Sequence, residues 1–199
     1  GLTRRVQHSF GVETYQHGFE YGVLSGRYVS AGSYNVEGDW SNAAFWLCAG
    51  ALRGGVRVTG LDCDSAQGDK VICDILRRFG ASVTVDNKTV SVKAGDRCPI
   101  NVDVSQTPDL LPVLCVLAAA AKGKSLIYNA GRLRLKESDR LKASTAMINA
   151  LGGDARENAD SIEVYGTGAL NGGTAEGCGD HRIVMSAAIA SMICEKKVS

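Results

Sequence analysis

Apolar positions along the chain switch between a helical and an alternating period, and the switches recur in a fixed order. Residues 2–10 carry a helical pattern that Phe10-Gly11 closes, with glycine where a helix end favours it. Two short alternating runs follow, Val12–Tyr15 and Phe19–Leu24, separated by a Gln-His-Gly turn. A Gly/Ser-rich connector (26–33) leads to a strand-like Tyr34-Asn-Val-Glu37 and to Gly38-Asp39, a helix start with Asp39 as N-cap. Residues 40–52 (WSNAAFWLCAGAL) are apolar on nearly every face, the pattern of a helix buried on all sides. A strand at 56–59 and an amphipathic helix over Gln67–Phe79 come next, the latter with Val71, Ile72, Ile75, Leu76 and Phe79 on one face and Gly80 at its end. Strands at 82–85 and 89–92 flank an Asp86-Asn87 turn.

The same order then returns. Thr107-Pro108-Asp109 opens a second all-round apolar helix, with proline tolerated in the first turn. A strand at 125–128, a helix from Leu141 closed by Gly152-Gly153, and strands near 154–156 and 161–164 complete the unit. Gly179-Asp180-His181-Arg182 opens a third buried helix, predicted over 183–194. Asp39, Asp109 and Asp180 recur at intervals of 70 and 71 residues and predict equivalent helix-capping positions. The unit is β-α(buried)-β-α(amphipathic)-β-β, a module that buries its apolar faces against its copies. Residues 2–24 match the back half of a unit and 179–199 the front half, so two whole units lie between two halves. This predicts a division into residues 1–35, the tail of a preceding domain, and 36–199, two repeats plus a truncated third. The two half units are complementary, and the expectation is that they associate within one chain or between two.

Composition narrows the class. The 199 residues are 45 % hydrophobic and 22 % charged, an ordinary globular balance with room for a sizeable core. A net charge of +1 argues against a nucleic-acid or polyanion surface, so any anion site must be local. The seven cysteines are odd in number and lack metal-knuckle spacing, and Cys48, Cys115 and Cys194 fall in apolar runs. All seven are expected to be reduced, in a cytoplasmic protein. The longest apolar run, 110–121, is interrupted by Pro112 and far short of the ~20 residues of a membrane helix.

Candidate chemistry concentrates in residues 132–141, RLRLKESDRL, where Lys136, Glu137, Asp139 and Arg140 crowd around Ser138 at a helix start. Ser138 is the expected N-cap, with Asp139 in the first turn. Two cations at the positive end of a helix dipole make sense beside a bound anion. Buried helices surrounded by strands would gather their N-termini at one end. Asp109, Lys136, Glu137, Arg140, Asp180, His181 and Arg182 would meet there. Asp39 needs no role beyond its cap, Asp139 complements the helix dipole, and Arg132 and Arg134 are weaker candidates.

The segments EGDWSNAA (37–44), SAQGD (65–69), TPDLLPV (107–113), LRLKESDRL (133–141) and GDHRIVM (179–185) together resemble the 5-enolpyruvylshikimate-3-phosphate synthase family, across essentially the whole chain and corresponding to its carboxy-terminal half. The resemblance implies an α/β fold, an inside-out α/β barrel of βαβαββ repeats of the enolpyruvyl transferase type. It implies transfer of the enolpyruvyl group of phosphoenolpyruvate to the 5-hydroxyl of shikimate 3-phosphate, with release of phosphate. The resemblance, carried by residues 37–44, 107–113, 133–141 and 179–185, implies no metal and no organic cofactor. In that reaction Asp109 would contact the hydroxyl and Glu137 would act as acid/base near the methylene carbon. Lys136 would bridge both substrates, and Arg140 and Arg182 would clamp phosphoenolpyruvate with Asp180 and His181 in the same wall. The family's amino-terminal contacts to shikimate 3-phosphate have no counterpart here, so the chain alone is expected to be inactive without the missing amino-terminal domain. The alternatives are the related transferase acting on UDP-N-acetylglucosamine, a non-catalytic anion-binding module, and a purely structural repeat domain.

Overall fold

A computed structural model describes residues 1–24 and 26–199. Residues Leu2–Ser9 form helix α1, and β1 (Thr14–His17) and β2 (Glu20–Val23) form an antiparallel hairpin after it. No residue of α1 is buried; Val12, between helix and hairpin, is covered. Arg5 fastens this segment by its hydrogen bond to Asp62 at 2.9 Å and a longer one to Glu37 at 3.4 Å. Among the described residues, its hydrogen bonds do not reach 179–199.

Helix α2 (Trp40–Leu52) starts as its sequence demands: the Asp39 carboxylate accepts from the Ser41 backbone N–H at 2.9 Å. It is buried around most of its girth, Trp46 at 62 % exposure being the main exception. Residues 34–37 do not form the expected strand. That segment is held by side chains instead: Gln67 donates to Glu37 and to the Gly38 carbonyl, while its own carbonyl oxygen accepts from the Trp40 N–H. Strand β3 (Gly55–Thr59) follows, then a 3-10 turn (Gly68–Val71) running into α3 (Ile72–Phe79). Strands β4 (Ser82–Asp86) and β5 (Thr89–Lys93) complete an antiparallel sheet in the order β3-β5-β4.

The second unit has a short strand the hydrophobic pattern did not reveal, β6 (Asn101–Asp103), because only its Val102 is buried. A 3-10 turn (Pro108–Leu110) leads into α4 (Leu111–Ala120), all ten residues of which are buried. Each fully buried aliphatic side chain of this kind stabilises the fold by about 1.5–3 kcal/mol relative to exposure. Strand β7 (Lys122–Tyr128), α5 (Arg140–Ala150), β8 (Ala155–Glu157) and β9 (Ser161–Thr167) follow. They give a four-stranded sheet β6-β7-β9-β8 in which only β6 and β7 run parallel. The core joins both units, and Arg97 ties them at the rim by donating to the carbonyls of Leu52 (2.6 Å) and Gly168 (3.1 Å). Helices lie inside and sheets outside, as the repeat pattern requires.

Two helix boundaries differ from expectation. Asp139, not Ser138, caps α5, accepting from the Lys142 N–H at 3.1 Å. Helix α6 (His181–Ala190) is shorter than predicted, continuing only as a 3-10 turn (Ser191–Ile193), and it buries one face. Ile183, Ser186 and Ala190 point inward, whereas Val184 is 56 % exposed. All seven cysteines are free thiols, and burial pushes the Cys48 and Cys115 thiols up, the latter to about 12.

Gly166 of β9 passes directly over the end of α4, where a Cβ would overlap the carbonyl oxygens of Ala118 and Ala121. Backbone cannot yield as a flexible side chain can. Gly166→Ala is expected to lower unfolding free energy by about 2–3 kcal/mol, read from the urea midpoint at constant slope.

Candidate active site

Three helix starts converge on one guanidinium. Arg140, the first residue of α5, is 1 % exposed. Its Nε donates to Asp180 Oδ2 at 2.8 Å, its Nη1 to Asp109 Oδ1 at 2.6 Å and its Nη2 to Glu137 Oε2 at 2.7 Å. Burial alone would lower its pKa, but the hydrogen bonds from Asp180 and Asp109 more than reverse this. The planar fork suits several carboxylates at fixed angles, which a lysine could not satisfy. Each of the three guanidinium nitrogens of Arg140 thus meets a protein carboxylate.

The second arginine does present an unused donor. Arg182, in the first turn of α6, reaches across to the start of α2, donating to Ser41 Oγ at 2.7 Å and Asn42 Oδ1 at 3.2 Å. Its Nη2 also lies 3.3 Å from Asp109 Oδ2, and its guanidinium sits 5.7 Å from the Phe45 ring centre. Its Nε is buried without a partner. Ser41 and Asn42 are held in turn by the two oxygens of Asp39, so the cap of α2 also orients the groups that receive Arg182. Sequence reasoning missed Ser41 and Asn42; their place directly behind a helix cap, at one of three matching repeat positions, was the available signal.

The three repeat-equivalent aspartates are used differently. Asp39 and Asp180 are N-caps, each accepting the N–H two residues on. Asp109 is not. The Pro108–Leu110 turn extends the helix start past it, and its carboxylate faces the two arginines, with Lys136 Nζ at 4.0 Å. Burial would raise the Asp109 carboxyl, but the Arg140 hydrogen bond and the charges of Arg182, Arg140 and Lys136 leave it below its ordinary value. Asp180 is balanced the same way: burial opposes ionisation, and Arg140 and the Arg182 backbone N–H outweigh it. Asp180 is therefore both a helix cap and a partner of Arg140. Ser138 donates to its Oδ2 at 3.0 Å, a use that displaces the expected capping role.

Lys136 and Glu137 are half exposed beside this cluster, with side chains at 37 % and 52 %. His181 is not gathered in. Its side chain is 60 % exposed and approaches only its neighbour Asp180, at 4.0 Å, because its helix position turns it outward. Arg132 is exposed. Arg134 is a brace rather than loose surface charge, donating to Asp139 (2.9 Å), Glu157 (2.6 Å) and the Asn158 carbonyl (2.7 Å) and so pinning the loop that carries Lys136 and Glu137.

One carboxyl of the region was not anticipated. Asp69, in the 3-10 turn before α3, has a buried Oδ1 with no hydrogen-bond partner. Burial first, and the charge of Asp109 next, push it up to about 6 against the pull of Arg182 and Lys136. A cleft of ≈ 490 Å³ lined by Arg5, His8, Tyr34, Asp62 and Lys88 shares no residue with this cluster.

Repeated units with helices inside and sheets outside, presenting carboxylates and cations at clustered helix starts, define the enolpyruvyl transferase class. The family model of EPSP synthase (3-phosphoshikimate 1-carboxyvinyltransferase) matches residues 3–199, and the chain belongs to this family. It is 44 % identical over 199 residues to the 3-phosphoshikimate 1-carboxyvinyltransferase of Clostridium acetobutylicum, covering 100 % of this chain and 46 % of that one. The same-named protein of Pyrococcus abyssi is 44 % identical over 196 residues, covering 98 % and 47 %. A solved EPSP synthase from Acinetobacter baumannii superposes with a TM-score of 0.87 at 26 % identity, over 98 % of this chain and 48 % of that one. The enolpyruvyl transferase NikO from Streptomyces tendae shares the fold, with a TM-score of 0.66 at 21 % identity over 94 % and 45 %. The chain spans about half the length of the curated relatives it matches.

Removing Arg140 would leave three carboxylates facing one another; Arg140→Ala is expected to cost about 3–5 kcal/mol of stability by chemical denaturation. Asp69 predicts a pH effect of opposite sign from the paired carboxylates. Its raised folded pKa makes its contribution complete below its unfolded value near 3.8 and lost as pH rises through about 6. Asp69→Asn should therefore match the parent below about pH 4 and exceed it by about 1–2 kcal/mol above pH 7, after allowance for solvent screening.

Proposed function

We propose that the chain supplies the phosphoenolpyruvate-facing half of a 3-phosphoshikimate 1-carboxyvinyltransferase, a cytoplasmic enzyme. The observation that carries this reading is the meeting of Asp109, Lys136, Glu137, Arg140 and Arg182 at the starts of three helices, in a chain of this family. The substrates are phosphoenolpyruvate and shikimate 3-phosphate. The relatives' remaining chain, about as long again, would carry the other wall of the cleft.

The reaction needs one group to receive the proton of the attacking 5-hydroxyl and another to protonate the methylene carbon. Asp109, held ionised by its cationic neighbours, is placed to orient and accept from the hydroxyl. Glu137 has one oxygen on Arg140 and a half-exposed side chain, which suits exchange of a proton with the methylene carbon. Lys136, 4.0 Å from Asp109, is the mobile cation that can turn from the carboxylate to a substrate anion. Arg182 offers its unpartnered Nε. Arg140 acts by fixing the carboxylates, and Arg182 and Lys136 are the cations that clamp the anion.

Calorimetric titration of this chain with phosphoenolpyruvate tests the assignment. Selective binding over inorganic sulfate is expected, with Lys136→Ala weakening it about tenfold, the loss of one exposed charge contact. Equal affinity for sulfate, or indifference to the Lys136 change, would contradict the reading. The 199-residue chain by itself is expected to show no turnover, since a cleft made of two walls excludes water only when both are present.

A further inference from the structure

Three of the five buried side-chain polar atoms that lack a partner among the described residues belong to the surroundings of Asp109: Asp69 Oδ1, Thr107 Oγ1 and Arg182 Nε. Two of them, on Asp69 and Thr107, are brought there by one packing contact. The turn that begins at Gly68 lies so close to the strand-to-helix connection before α4 that a Cβ on Gly68 would stand 3.0 Å from the Gln106 carbonyl and 3.5 Å from Thr107. Asp69 therefore follows directly after the glycine that permits close approach, and Asp109 follows directly after the segment approached.

We propose that Asp69 is the proton-holding partner of Asp109, a positioning residue whose buried, unpaired carboxyl oxygen takes up a proton more readily than Asp109 does and so sets the charge an incoming anion meets. The charged groups that act on Asp69 are Asp109 from the turn before α4, Asp39 at the cap of α2, Arg182 of α6 and Lys136 from the loop before α5. These four cancel in formal charge, so an ionised Asp69 leaves a net negative neighbourhood, and a protonated one leaves it neutral. Arg140 does not relieve this, because its fork is occupied by Asp109, Glu137 and Asp180. The two carboxyls are driven in opposite directions, Asp109 down and Asp69 up, and such a split marks which member keeps a proton and which stays ionised.

The functional consequence rests on the reading above. When the substrate O–H breaks, its electron pair stays on the attacking oxygen and the proton passes to a carboxylate. Asp109, ionised between two arginines, orients that proton but holds it poorly. Asp69, when ionised, binds a proton more tightly than Asp109 does.

Carboxyl-selective carbon-13 resonances of the whole chain, titrated without ligand, decide the proposal. The resonance that disappears in Asp69→Asn should have its midpoint near 6, and in Asp109→Asn its midpoint should fall by about one unit or more. A midpoint in the ordinary aspartate range, or no response to Asp109→Asn, overturns it. If Asp69→Asn does not fold, the response to Asp109→Asn still identifies the resonance. Phosphoenolpyruvate is then the probe in a pH series from 5 to 7.5. Its affinity should weaken several-fold across the Asp69 midpoint in the parent, and that step should be absent in Asp69→Asn. A step that persists in Asp69→Asn also overturns the proposal. Absence of phosphoenolpyruvate binding at every pH would sink the substrate assignment and leave the proton-holding role to be judged by the ligand-free titration.

Discussion

A guanidinium sealed from water holds together carboxylates that would otherwise repel one another, and the geometry of the whole helix-start cluster follows from it. Arg140 takes Asp109 from the second buried helix, Asp180 from the third and Glu137 from its own loop. Buried ions of one sign cannot share a site without a counter-ion, and a fork with fixed angles dictates where each partner must stand. The three carboxylates therefore define the relative placement of α4, α5 and α6 as firmly as the apolar contacts beneath them. Arg182 repeats the device one layer out, tying α6 to the cap of α2 through Ser41 and Asn42.

The repeats supply the same position three times and use it in three ways. Asp39 is spent on its helix cap and on orienting two neighbours. Asp180 divides its oxygens between a cap and Arg140. Asp109 alone is released from capping, because Pro108 and the added 3-10 turn move the start of α4 beyond it. A carboxylate freed from its backbone is available for other partners, and this departure from symmetry is where the charged cluster gathers. The same economy governs Asp69: its turn is pressed against the neighbouring repeat through a glycine, and the burial that results leaves one of its oxygens unpaired.

Periodicity and punctuation along the chain were enough to determine the repeat unit, the two wholly apolar inner helices, the amphipathic helix ended by Gly80 and the grouping of Asp109, Lys136, Glu137, Arg140, Asp180 and Arg182. These are local features: a helix buried on every face reads as apolar on every face, and a cap announces itself by residue type. Where competition between neighbouring groups chose the outcome, the chain was silent. Residues 34–37 alternate like a strand, yet they form none, and the Gln67 side chain holds the Glu37 carboxylate and the Gly38 carbonyl instead; Ser138 is a good cap residue, yet Asp139 caps and Ser138 serves Asp180. Arg140 reads as a cation at a helix start, and which three carboxylates meet it is not visible there; His181, adjacent to the cluster in sequence, turns to solvent. Only the tertiary structure could decide these, because they depend on partners such as Gln67, Asp109 and Asp180, 29 to 42 residues away, or on the direction a side chain takes from its helix, and neither distance nor direction is written in the period of the pattern.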